Sequence, residues 1–153
     1  MDMSYLKDMP IAVLGGGAVG KTMAADCAMA GKEVRIWDQP RFAKTNFLNI
    51  EKTGITLSGA QFSFFGFQRK GTAKVALATD DMAKAVKGAG IIIVAAVAVA
   101  HETIFRELIP LLEDGQVIHI LPDNCGTFVM RKLMREMNCT KKVIVGAWYT
   151  APY

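Results

Sequence analysis

Short apolar runs alternate along the chain with longer segments of mixed polarity, and that alternation predicts strands and helices in turn. Residues 9–15 read as a first strand. Residues 18–30 read as a helix whose Ala24, Ala25, Ala28 and Met29 offer a narrow apolar face, closed by Gly31. A second strand runs from Glu33 to Asp38. Residues 41–52 read as a second helix through Phe42, Phe47, Leu48 and Ile50, stopped at Gly54. Ile55-Thr56-Leu57 starts a hairpin, and in the aromatic, glycine-broken stretch after it Phe62, Phe64, Phe65 and Phe67 read as a cap on one end of the core, with a stacking surface for a nucleobase or a partner as the competing reading. Lys74–Ala78 then reads as a strand and Asp80–Lys87 as a helix with Thr79 or Asp80 as its N-cap. Ile91–Val97 is a strand, His101–Leu112 a helix, Gln116–Leu121 a strand, Thr127–Met137 a helix and Lys142–Val145 a last strand. The run Ile91–Val97 has no polar position, as a central parallel strand covered on both faces requires. Strand–helix–strand order throughout predicts an α/β fold, a doubly wound and mostly parallel sheet. No repeat or linker divides the chain, so residues 1–153 read as one domain.

Chemistry enters at the end of the first strand. Gly15, Gly17 and Gly20 stand in G-x-G-x-x-G spacing between an apolar run and a helical segment, and Asp38 closes the next strand at about the spacing of 20 that a dinucleotide site wants. Each glycine has a mechanical task in that Rossmann-type layout: a tight turn at Gly15, close approach of a pyrophosphate at Gly17, and helix–strand packing at Gly20. Gly16, Ala18 and Val19 complete the turn, and the helix that starts there offers free N–H groups and a positive dipole end to phosphates. Asp38 is placed to accept hydrogen bonds from both hydroxyls of an adenosine ribose, with Gln39 beside it. A 2′-phosphate about 4 Å from that carboxylate would meet a repulsion of about 4 kcal/mol per unit charge at an effective dielectric near 20. NAD is therefore expected over NADP. Arg41 could offset the repulsion by pairing with the phosphate, so NADP stays open, although Arg41 reads first as an exposed residue at a helix start. The same string, GGGAVGKT, also satisfies G-x-x-x-x-G-K-T, so a nucleoside-triphosphate loop through Lys21 and Thr22 is a competing reading. Gly17 and the acidic end of the second strand are superfluous for that loop and wanted by a dinucleotide.

Composition narrows the rest. At 52% hydrophobic residues the chain is globular, and its longest apolar run, Ile91–Ala100, is half of what a membrane-spanning helix of about 20 residues needs. No membrane partner is expected. The acidic N-terminus, MDMSYLKDMP, does not read as a signal peptide. Cys27, Cys125 and Cys139 show no metal-ligand spacing and cannot all pair, so no metal and a reducing, cytoplasmic setting are expected. The net charge of +4 is spread out, with one short cluster at Arg131, Lys132 and Arg135 that reads as a solvated helix face and not as a nucleic-acid patch.

Longer strings carry a family resemblance. IAVLGGGAVG with AMAGKEVRIWD, FAKTNFLNIEKTGITLSG, the stretch from ATDDMAKAVKG through AHETIFRELIPLLEDGQVI, LPDNCGTF and the final TAPY resemble the nucleotide-binding domain of the NAD/NADP octopine–nopaline (opine) dehydrogenase family. More distantly the chain resembles ketopantoate reductase and glycerol-3-phosphate dehydrogenase. The resemblance implies that Gly15, Gly17 and Gly20 hold the pyrophosphate and Asp38 the adenosine ribose. It places Val97, His101 and Asn124 near the nicotinamide side, and for His101 the competing reading is a partly exposed capping residue at a helix start. It also implies an oxidoreductase that condenses an α-keto acid with an amino acid reductively. The second, helical domain that supplies the family's substrate site and catalytic pair is expected to be absent from this chain. Departures from the pattern include Ala18-Val19 where Asn-Gly is usual, Val97 where a proline closes the strand, and Asp123 and Cys125 where glycines stand. No catalytic residue is assigned: His119 lies inside an apolar strand and reads as core. A stand-alone, non-catalytic dinucleotide-binding or redox-sensing module is the alternative function, and apolar Trp148, Tyr149 and Tyr153 could pair two copies as a homodimer.

Overall fold

The computed structural model describes residues 3–58 and 69–150. Phe62, Phe64, Phe65, Phe67 and Tyr153 lie outside the described residues. The chain enters through a 3-10 turn, Ser4–Asp8, that apolar patterning does not predict. Strand β1 (Ile11–Leu14) leads into helix α1 (Ala18–Met29), then β2 (Val34–Trp37), helices α2 (Pro40–Asn46) and α3 (Ile50–Thr53), the short strands β3 (Ile55–Leu57) and β4 (Gly71–Ala73), and β5 (Leu77–Thr79). Helix α4 (Met82–Val86), β6 (Ile91–Ala95), α5 (Ala98–Leu108), β7 (Val117–Leu121), α6 (Gly126–Glu136) and β8 (Ile144–Ala147) complete it. Six strands form one parallel sheet in the order β5-β2-β1-β6-β7-β8, and β3 and β4 form a separate antiparallel hairpin.

The sheet is covered on both faces, and its central strands are accordingly apolar at every position. Along β6, Ile92 and Val94 face a cluster with Phe105, Leu108, Met130 and Leu133, under α4, α5 and α6. Ile93 and Ala95 face the opposite cluster with Val13, Ala24, Ala25 and Ile55, under α1 and the hairpin. The small residues of α1 let it lie close, with Ala24 and Ala25 fully buried. Leaving the hairpin aside, the strand order is 3-2-1-4-5-6. The direction of winding reverses between β1 and β6, and that reversal opens a crevice at their carboxyl ends.

Several boundaries differ from the sequence reading, each for a local reason. The single helix expected over 41–52 breaks in two because Asn49 adopts the left-handed region (φ 63°), which asparagine tolerates better than most residues. Of the strand expected at 74–78 only Leu77 and Ala78 are in a strand, β5, which pairs with β2; the chain before it ends β4 at Ala73, which pairs with β3 through Thr56 and Thr72. The cap of α4 is Asp81, whose Oδ1 accepts from the Lys84 N–H at 3.2 Å; Thr79 instead accepts from the Asp81 N–H. Strand β6 stops at Ala95 and α5 begins at Ala98, so His101 is inside a helix and not at its start.

Candidate functional site

The turn after β1 is built by contact. Gly15 has φ 123°, a conformation L side chains avoid, and a Cβ there would run into the Ala95 carbonyl of β6. A Cβ on Gly20 would run into the Gly15 carbonyl, and one on Gly16 would lie 2.7 Å from Asp38 Oδ2 and 2.8 Å from the Phe47 ring. Gly17 is different. Its φ of −72° suits any residue, and a Cβ there meets nothing within 4 Å. Three glycines are thus required by the protein's own packing, whereas nothing among the described residues requires the fourth. Gly17 is also the N-cap of α1; no side chain caps that helix and no acid stands in its first turn, so its positive end is open.

Asp38 closes β2 beside this turn and is 7% exposed. Its Oδ1 accepts from the Gln39 N–H at 2.9 Å and its Oδ2 from Asn46 Nδ2 at 2.6 Å. A carboxylate has about four lone-pair directions, so two remain for other donors. Gln39 Oε1 accepts from Arg41 Nε at 3.0 Å, and the Arg41 guanidinium lies 4.4 Å from the centre of the Phe42 ring. These residues border a groove of about 280 Å³. Gly15, Gly16 and Gly17 form its floor, Asp38, Gln39, Phe42 and Asn46 one end, and Ala95, Ala96, Val97, Ala100 and Ile104 the other side.

The groove therefore brings together Gly15, Gly16, Gly17, Asp38, Gln39 and Val97 of the expected site. Ala18, Val19 and Gly20 lie just behind it in the first turn of α1, and Arg41 stands outside the lining. Asn124 sits in the loop after β7, where it and Cys125 have φ 41° and 64°. Cys125 thus takes up the left-handed backbone that glycine adopts at no cost, at a position where the resemblance has glycine. Sequence reading missed Phe42 and Asn46 as lining residues. The signal for Phe42 was an aromatic one turn after Asp38 on a helix too short to bury it; Asn46 carried none that spacing reveals.

Both histidines are held neutral. His101 is 2% exposed, the opposite of a partly exposed capping residue. Burial is the largest influence on it and lowers its pKa from the ordinary value of 6.5, against the Ala96 carbonyl and Asp123, which favour the charged ring. His119 is half-buried in β7 with its ring edge-on to Trp148, centroids 5.3 Å apart, and its Nε2 is buried without a partner among the described residues. Burial lowers its pKa too. A folded state that resists charging these rings binds fewer protons than the unfolded chain below pH 6.5. Stability is therefore expected to be level above that pH and to fall as pH drops through it, until the folded rings titrate as well. Thermal midpoints measured from pH 7 to pH 5 should show this slope, and His119→Phe should flatten it. An unchanged slope in that variant would remove His119 from the account. Among the described residues no group of three His, Cys, Asp or Glu stands together to hold a metal, and no helix is long and apolar enough to cross a membrane.

A doubly wound sheet with a glycine turn at its switch point and a buried acid at the end of the next strand defines a dinucleotide-binding domain. Comparison with known proteins agrees. Residues 10–123 match the family described as NAD-dependent glycerol-3-phosphate dehydrogenase N-terminus, and the chain belongs to that family. It is 31% identical over 136 residues to an opine dehydrogenase of Arthrobacter sp. (strain 1C), a match that covers 88% of this chain and 35% of that protein. Among solved structures it is similar to octopine dehydrogenase in its form with NADH and L-arginine (TM-score 0.71, 25% identity, 82% of this chain and 32% of that one). It shares its fold with a ketopantoate reductase from Ralstonia eutropha JMP134 (TM-score 0.68, 22% identity, 91% and 40%). The chain spans about a third of the length of its opine dehydrogenase relatives. It is an NAD-binding dehydrogenase N-terminal domain related to opine dehydrogenase.

Proposed function

We propose that this chain holds NADH for an opine-dehydrogenase-like reaction, the reductive condensation of an α-keto acid with an amino acid. The observation that carries the reading is Gly17: open space over a bare backbone at an uncapped helix N-terminus, a cradle that a Cβ would fill. The residues present fit the cofactor. Gly16, Gly17 and the first N–H groups of α1, from Ala18, Val19 and Gly20, bind the pyrophosphate. Asp38 accepts from the ribose hydroxyls with its two free lone-pair directions, fixed by Asn46 and the Gln39 N–H. Phe42 borders the adenine end, and Ala96 and Val97 border the nicotinamide end. The cofactor, when bound, supplies the hydride.

The protein's contribution here is to bind and orient. Neither histidine supplies a free acid–base group at the groove: His101 is engaged with Ala96, and His119 is in the sheet. The proton-transfer groups and the keto-acid and amino-acid sites are assigned to the part of the relatives that these 153 residues do not match. Val97, Val99, Phe128 and Tyr149 stand exposed at the carboxyl side of the sheet, where such a part would dock or a second copy would pair. Calorimetric titration with NADH, NADPH and ATP–magnesium tests the reading. NADH is expected to bind, more tightly than NADPH, and ATP–magnesium not at all. Binding of ATP–magnesium alone would transfer the site to the triphosphate reading through Lys21.

A further inference from the structure

The His101 ring lies behind the groove and ties one of its borders, the turn after β6, to the start of α6. Its Nε2 is 3.1 Å from the Ala96 carbonyl oxygen. A carbonyl only accepts, so Nε2–H donates and the neutral ring leaves Nδ1 as a lone pair. One face stacks on Phe105, with centroids 5.3 Å apart and planes at 30°. Another side meets the first residue of α6: a Cβ on Gly126 would stand 2.7 Å from Nδ1, so glycine lets that helix come this close. Gly126 in turn is held by Asp123, whose carbonyl accepts from the Gly126 N–H and whose Oδ1 accepts from the Thr127 N–H at 2.8 Å. One ring therefore joins the turn after β6 to the loop after β7.

The bond to Ala96 has a consequence in the groove. The Ala96–Val97 peptide is trans, so its C=O and N–H point in opposite directions. His101 draws the carbonyl inward, and the Val97 N–H is turned outward on a residue that lines the groove and is 68% exposed. That N–H has no hydrogen-bond partner among the described residues. It is a donor held open at the carboxyl end of β6, across the groove from Asp38.

We propose that His101 is a positioning residue: by anchoring Ala96 against Gly126 it presents the Val97 N–H to the nicotinamide half of the bound dinucleotide. The inference rests on the dinucleotide reading of the groove. His101→Leu keeps an apolar side chain on α5 and removes the donor, whereas His101→Gln keeps an N–H that can reach the Ala96 carbonyl. Each is titrated by calorimetry with NADH and with ADP-ribose, which lacks only the nicotinamide. For His101→Leu, NADH affinity is expected to fall about tenfold, the scale of one hydrogen bond, while ADP-ribose affinity stays within about twofold. His101→Gln is expected to recover NADH affinity to within about threefold of the parent. Equal losses for both ligands, no loss of NADH affinity, or a Gln variant no better than Leu would each overturn the inference. A parent chain that binds neither ligand would remove the dinucleotide reading itself, and this inference with it.

Discussion

Gly17→Val is expected to weaken dinucleotide binding about a hundredfold or more and to leave the domain folded. The two halves of that expectation come from different observations. Valine fits the protein: φ is −72°, and a Cβ meets nothing within 4 Å. The cost to stability is that of a poor N-cap, about 1 kcal/mol, or a few degrees in thermal midpoint. Valine does not fit the ligand, because its methyl groups stand where the pyrophosphate must touch the backbone. Gly20→Val is the control. Its side chain runs into the Gly15 carbonyl under the same turn, so it should lower the melting temperature strongly and lose binding only through loss of structure. Circular dichroism melts beside NADH titrations separate the two. A Gly17→Val domain that melts near the parent and still binds NADH would place the ligand elsewhere.

The contrast between these glycines also marks where sequence stops being legible. Spacing alone locates the turn, because the strand before it and the helix after it are set by strong, local hydrophobic patterns. The sheet follows for the same reason: Ile11–Leu14 and Ile91–Ala95 are apolar at every position because both faces of these central strands are covered. What spacing does not show is which glycine is bare for the ligand and which for the fold. That depends on the Ala95 carbonyl, about 80 residues away in sequence from Gly15. The helix split at Asn49 was hidden similarly, since a single left-handed residue leaves no mark on periodicity. Val97 and His101 were singled out by resemblance, but their division of labour was not legible. One faces the groove and the other is buried behind it, because α5 starts at Ala98, three residues earlier than periodicity placed it.

Asp38→Ala is expected to reduce NADH affinity by about one to two orders of magnitude, the scale of two charge-assisted hydrogen bonds, and to lower the NADH:NADPH affinity ratio. The carboxylate is 7% exposed and already receives the Gln39 N–H and Asn46 Nδ2, so its orientation is set before any ligand arrives. A ribose diol would complete its hydrogen bonding without rearrangement. A 2′-phosphate would instead face a fixed negative charge, at a cost of about 4 kcal/mol per unit charge at 4 Å and an effective dielectric near 20. Arg41 is the available counter-charge, yet its Nε is already committed to Gln39 and its guanidinium lies over Phe42. Removing the carboxylate therefore withdraws what NADH gains and what NADPH suffers, and the two affinities converge. Asn46→Ala should move them the same way by a smaller factor, because it frees Oδ2 to rotate without removing the charge. Stability should fall by about 1–3 kcal/mol in Asp38→Ala, since Asn46 and the Gln39 N–H lose their acceptor, so titrations belong well below the melting temperature. A ratio that does not fall would show that Asp38 does not face the ribose, and the choice between the two cofactors would then have to lie with Arg41.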